Sequence, residues 1–219
     1  MDISGCAVKR LPRWFAALAL ALACVPAIGQ QPGKLTPAER DARAREYFTD
    51  TVLKTHKGRA LRFYSDAMRG KVVLINFMYT ACGDACPLIT AKLVQAKNDL
   101  GEAFGREVRF LSISIDPLHD RPEDLAKFAR KFDAEHAEWL FLTGEQANVD
   151  QVVKKLGAYT ANVEEHSTGI IIGSPAQGRW KKVRPDAPAR VIAEELRHLV
   201  AGEIETRKTA AAPGAVLRR

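Results

Sequence analysis

An α/β sandwich is the fold class that this sequence predicts, on three observations. An unbroken apolar, β-rich run, VVLINFMY (72–79), reads as a central strand covered on both faces. Beyond it, short β-rich segments alternate with amphipathic stripes of helical period. The chain then closes with two adjacent strands and a helix, a ββα unit.

Each element follows from its local pattern. RALRFY (59–64) alternates as a strand does, and SDAMRGK supplies a turn around Gly70. After the central run, Ile89, Leu93, Ala96 and Leu100 recur at i, i+4, i+7 and i+11, one face of a helix. EVRFLSISI (107–115) is the next strand. In RPEDLAKFARKF (121–132), Pro122 and two acids open a helix whose Leu125, Phe128, Ala129 and Phe132 share a stripe. WLFL (139–142) is a short strand, and Val149, Val152, Val153 and Leu156 mark a helix stopped by Gly157. GIIIG and RWKKV flank SPAQG as a hairpin, and PARVIAEELRHLV (188–200) follows as a helix. The order β–β–α–β–α–β–α–β–β–α describes a thioredoxin-like three-layer sandwich with an inserted αβ element. One domain, residues 59–202, suffices.

The flanks are different material. Residues 30–58 are polar and charged, a leader or spacer with a short helix expected over AREYFTDTVLKTHKG (44–58). Residues 203–219 read as a flexible basic tail. At the amino end, Lys9, Arg10 and Arg13 precede the uncharged WFAALALALACVPAI (14–28). Those 15 residues fall short of the ~20 needed to span a bilayer and read as a secretory signal cleaved near Gly29. An uncleaved membrane anchor, or lipidation at Cys24, is the alternative. Either way residues 1–29, with Cys6 and Cys24, direct the chain to the periplasm or the outer face of the inner membrane. Without them the chain holds 30 basic against 25 acidic residues, a net +5. That excess is spread thinly and has no aromatic-interleaved basic stripe, so no nucleic-acid partner is expected.

Export matters for Cys82 and Cys86, which flank GDA directly after the central strand. Outside the cytoplasm a dithiol kept for function needs an upstream reductant or a bound metal. The carboxyl end of a central strand is where α/β sheets place their sites. Pro87 suits the first position of the following helix, which sets Cys86 at the helix mouth, where dipole and free amides favour thiolate. Gly83 and Asp84 let the loop bow, and the spacing permits metal binding, disulfide exchange or a structural disulfide.

Of five histidines, His56, His119, His136 and His198 read as surface or packing residues. His166 enters a strand in NVEEHSTGIII, on a loop that faces the dithiol in a thioredoxin-like fold. Two thiolates and one imidazole make a soft, low-coordinate set that suits copper, whereas structural zinc wants four protein ligands. Asp116, at a strand end, is a candidate neighbour that tunes the thiols. Met78 in the buried strand is expected to pack.

GKVVLINFMYTACGDACP, FLSISIDPLHDRPEDLAKF and EHSTGIIIGSPAQG resemble three ordered blocks of the Sco/SenC family of copper-binding cytochrome c oxidase assembly proteins. The resemblance spans about residues 59–201. It implies a thioredoxin-like fold, a place on the outer face of a membrane, and Cys82, Cys86 and His166 at the copper-ligand positions. The client it implies is the copper-bearing subunit of the oxidase, at its binuclear copper site. Gly83 stands where the family commonly has Pro, Glu165 where it has Asp, and SPAQG replaces its Asp-Pro-x-Gly turn. These departures bear on redox potential and client choice.

Two functions follow as expectations. One is a metallochaperone that releases copper by ligand exchange. The other is a thiol–disulfide reductase, an enzyme that uses Cys82 and Cys86 as attacking and resolving thiols to keep the client's copper-site cysteines reduced. An upstream copper donor and a thiol reductant are further partner classes. The motif lacks the Thr-x-x-Cys arrangement of peroxiredoxins, and no C-x-x-C-H haem motif is present.

Overall fold

The computed structural model describes residues 35–211, and the expected signal or anchor over 1–29, with Cys6 and Cys24, lies outside them. The described chain begins with helix α1 (Pro37–Phe48), strand β1 (Val52–Thr55) and strand β2 (Ala60–Arg62). A π-helical turn (Phe63–Met68) leads to β3 (Val72–Met78), α2 (Ala85–Leu100) and a kinked turn, α3 (Ala103–Arg106). There follow β4 (Val108–Ser114), α4 (Pro122–Lys131), β5 (Trp139–Thr143) and α5 (Gln146–Lys155). The hairpin β6 (Ile170–Ser174) and β7 (Arg179–Val183) and the long α6 (Ala189–Ala211) complete the fold.

The strands form one seven-stranded sheet in the order β2-β1-β5-β4-β3-β6-β7. β3, β4 and β5 run parallel, and β6 lies antiparallel to β3. Alternate strand residues divide the core. Val72, Leu74 and Met78 face a layer holding Leu93 of α2, Leu125 of α4 and Leu196 of α6. Val73, Ile75 and Phe77 face Phe48 of α1, Phe63 of the π-turn and Val152 of α5. Both faces of β3 are therefore dry, which is why it reads as an unbroken apolar run. The three layers are thioredoxin-like, with β5 inserted outside β4.

Three boundaries differ from expectation. Residues 37–58 are not a leader: β1 pairs antiparallel with β5 and extends the sheet. The expected short helix over 44–58 starts earlier because Thr36 and Glu39 form a reciprocal capping box, with Glu39 N–H donating to Thr36 Oγ1 (3.2 Å) and Thr36 N–H to Glu39 Oε2 (2.7 Å). It ends at Thr49, whose φ of 69° no α-helix continues. The strand expected over 59–64 stops at Arg62, because the Asp66 carboxylate accepts from Arg62 N–H at 2.8 Å and turns the chain. The supposed tail over 203–219 continues α6 to Ala211, and Glu203 is buried, accepting from Ser174 Oγ at 2.6 Å.

One glycine in the hairpin is a packing requirement. A Cβ on Gly173 would lie 2.1 Å from Cε3 of the Trp180 ring, which crosses it on β7. Gly173→Ala is expected to destabilise the fold by about 2 kcal/mol through overpacking, a Tm lower by roughly 5 °C in thermal melting.

Candidate metal centre

Register brings the distant pieces together. β6 pairs antiparallel with β3, Ile171 opposite Ile75. Continuing that register sets His166 level with Thr80, two residues before Cys82. The loop preceding β6 thus meets the loop following β3 at one end of the sheet.

His166 caps a short 3₁₀ turn (Val163–Glu165) and is nine-tenths buried. Its Nδ1 lies 3.0 Å from the Val163 carbonyl oxygen and donates to it, since a carbonyl can only accept. Nε2 is then the unprotonated nitrogen, and it faces Cys86 Sγ at 3.7 Å. Tyr79 stands edge-on to the imidazole, ring centres 5.3 Å apart. Burial lowers the His166 pKa, against a smaller upward pull from the Val163 carbonyl. The ring is therefore held neutral and aimed, as a metal-ligating imidazole must be.

The two thiols occupy opposite electrostatic settings. α2 begins at Ala85, so Pro87 is its third residue rather than its first, and Cys86 lies inside the first turn. Proline is tolerated there because the first N–H groups of a helix have no intrahelical acceptor. Those amides converge on Cys82 instead: Cys86 N–H points at Cys82 Sγ, 3.5 Å away. Burial pushes the Cys82 pKa up, but the amides of Cys86, Asp84 and Ala85 outweigh it, and the net shift is downward. Cys86, almost fully buried, is pushed up to about 12, first by burial, with the Cys82 sulfur and Asp120 adding to it. The helix mouth thus favours thiolate at Cys82 and not, as expected, at Cys86. Cys82 also lines a groove of about 280 Å³ against α4, with Lys127 and Lys131 at its rim. Iodoacetamide at pH 8 is expected to alkylate Cys82 at least about a hundredfold faster than Cys86. Time-resolved peptide mass spectrometry reads the two rates separately.

Both cysteines are free thiols. Among the described residues no three Cys, His, Asp or Glu side chains already converge on a point that could hold a metal ion. Cys86 and His166 are brought together, and the Cys82 sulfur is turned onto the helix amides. Two donors 3.7 Å apart subtend about 120° at an ion with bonds of about 2.3 Å to sulfur and 2.0 Å to nitrogen. That is a trigonal angle, and Cys82, in side-chain hydrogen-bond contact with Cys86, stands beside the pair as a third donor.

Asp116 does not serve as the tuning carboxylate. Its oxygens pair with exposed His119 Nδ1 at 2.7 and 2.9 Å. Asp120, which sequence reasoning passed over, takes that place. It is buried and accepts from Thr80 N–H (3.1 Å), Thr80 Oγ1 and Ser114 Oγ (2.6 Å), tying the loop after β3 to the end of β4. The second acid of DPLHD was the available signal. Tyr79 was also missed, for it reads as one more apolar strand residue. Met78 packs in the core, and His56 is buried, its Nδ1 accepting from Phe141 N–H at 3.3 Å. His136 accepts from Glu138 N–H at 3.0 Å and packs on Phe104, and His198 lies exposed on α6.

A thioredoxin-like sheet carrying a buried helix-mouth dithiol opposite an aimed imidazole defines a class of thiol- and metal-handling domains. The chain belongs to the SCO1/SenC family, whose family model matches residues 41–201. It is 34% identical over 91 residues to the SCO1 protein homolog of Bacillus subtilis, covering 41% of this chain and 47% of that protein. The chain spans about half the length of the curated relatives it matches. Among solved structures it is similar to Bradyrhizobium japonicum ScoI with copper bound, with a TM-score of 0.58 and 23% identity over 68% of this chain and 96% of that one. It is also similar to BsSco, a member of the Sco family of cytochrome c oxidase assembly proteins in which a disulfide switch was identified. There the TM-score is 0.60 at 25% identity, over 70% of this chain and 93% of that one.

Proposed function

We propose that the protein is an exported copper metallochaperone. Copper(I) is its cargo, held by Cys82, Cys86 and His166 and passed by ligand exchange to the binuclear copper site of cytochrome c oxidase. The observation that carries this reading is the 3.7 Å approach of a deprotonated His166 Nε2 to Cys86 Sγ. A disulfide reductase has no need of that imidazole. Copper in a family neighbour's structure, and oxidase assembly in the family of another, agree with it. Residues 1–29 would export or tether the domain beside the membrane-bound client.

A second reading has its own support. A thiolate-favouring Cys82 on a groove, backed by a protonated Cys86, is the arrangement of an attacking and a resolving thiol. That chemistry would keep the client's copper-site cysteines reduced.

Titration of the anaerobically reduced protein with Cu(I), beside His166→Ala, separates the two. The chaperone reading expects one equivalent bound by the parent and an affinity lower by at least about a hundredfold in His166→Ala, with disulfide reduction unchanged. If His166→Ala binds one equivalent as tightly as the parent while both reduce a disulfide substrate, the reductase reading replaces it.

A further inference from the structure

A large pocket lies away from the dithiol, on the opposite face of the sheet. It has a volume of about 720 Å³ and opens between α1, the end of α5 and the β6–β7 hairpin. Its floor is aromatic and aliphatic: Phe48 and Trp180 meet with ring centres 4.7 Å apart, beside Ile171 and Leu156. Tyr47, at the edge, is 55% exposed.

The rim has one sign of charge. Arg40, Arg43, Lys155, Lys181 and Lys182 line the pocket, and among the described residues no Asp or Glu does. Among the described residues only Lys181 of these five forms an ion pair, with Glu195. Arg40 donates to the carbonyls of Ala176 (2.8 Å) and Leu35, which orient its guanidinium without neutralising it. Lys155 Nζ lies 5.6 Å from the Tyr47 ring centre. Arg43 feels the Glu39 carboxylate, but that group is bonded to Thr36 in the capping box. Four cations gathered around an apolar cavity repel one another, and an occupant carrying negative charge on an apolar body relieves both the repulsion and the exposed floor.

We infer that this pocket binds an anionic phospholipid, its phosphate among Arg43, Lys155 and Lys182 and the first carbons of its chains over Phe48 and Trp180. The volume suits a headgroup with the upper part of its chains. The chain's own preceding segment is a poor rival, because residues 1–34 carry Lys9, Arg10, Arg13 and Lys34 against Asp2. Leu35 lines the pocket, seven residue steps beyond the end of the apolar run at Ile28. Fully extended they reach at most about 25 Å. A chain held at a bilayer through that run therefore keeps the pocket within reach of headgroups. Lipid bound here would present the opposite face, with the dithiol, toward the aqueous side.

The test is photocrosslinking of the full chain in phosphatidylcholine vesicles containing a phosphatidylglycerol with a headgroup-proximal diazirine, followed by peptide mapping. Crosslinks are expected on residues 40–48 and 180–182, competed by unlabelled phosphatidylglycerol and not by phosphatidylcholine or inorganic phosphate. In the triple variant Arg43→Gln, Lys155→Gln, Lys182→Gln, pocket crosslinking should drop at least about tenfold, since each basic residue near an anionic surface adds to the attraction. All three side chains are exposed, so the variant should melt as the parent does. Equal crosslinking with a labelled phosphatidylcholine, an unchanged triple variant, or labelling outside the pocket only would overturn the assignment.

Discussion

If Cys86 holds copper as proposed, Cys86→Ser is expected to lower Cu(I) affinity by at least about three orders of magnitude, because it would remove a ligand where loss of a mere supporting contact already costs 10–100-fold. Serine preserves the volume of the buried site, so the change is read as metal affinity rather than unfolding. The wild-type affinity should itself depend on pH in steps. Cys86 is protonated at all ordinary pH, its value standing at about 12, so capture of copper must release its proton. Affinity then rises tenfold per pH unit from that thiol alone. Below the lowered pKa of Cys82 a second proton is displaced and the slope doubles. The His166 pKa is depressed below its ordinary value by burial, so its contribution enters only at the acid end. Competition against a Cu(I) chelator of known pH behaviour, from pH 5 to 9, measures these slopes. A flat profile would mean that the thiols do not ligate.

Asp120→Ala is the substitution expected to damage the fold most. It strips the common acceptor from Thr80 N–H, Thr80 Oγ1 and Ser114 Oγ in a place that water does not reach. Unsatisfied donors of this kind cost about 3–5 kcal/mol together, a Tm lower by roughly 10 °C. Copper affinity should decline as well, since Thr80 anchors the loop that carries Cys82. Asp120→Asn provides the electrostatic control. Burial, ahead of the opposing hydrogen bonds from Ser114 and Thr80, raises the Asp120 pKa above its unfolded value. The folded state therefore favours the protonated acid, and that contribution is complete below the unfolded pKa and is lost as pH rises through the folded one. Wild type should lose stability over that rise relative to Asp120→Asn. Parallel melting curves for the two proteins from pH 4 to 8 would contradict this.

Local pattern alone determined much of this protein. Burial of β3 on both faces, the stripes of α2, α4 and α5, and the closing ββα unit are all written in residues close together, because a strand or helix must repeat its apolar positions at its own period. The dithiol was legible for the same reason: Cys82 and Cys86 lie within one loop and one helical turn. His166 was reachable only through the fold, as the histidine on the loop that an antiparallel β6 returns to the end of β3. Tertiary structure decided the rest. It placed β1 in the sheet, carried α6 on to Ala211, and made Asp120 rather than Asp116 the buried carboxylate. It also divided the two thiols, setting Cys82 before the α2 amides and Cys86 in the dry interior. No linear pattern records these outcomes, since desolvation and the direction of a field depend on what packs around a group. A neighbour 80 residues away in sequence can set them as readily as the next residue.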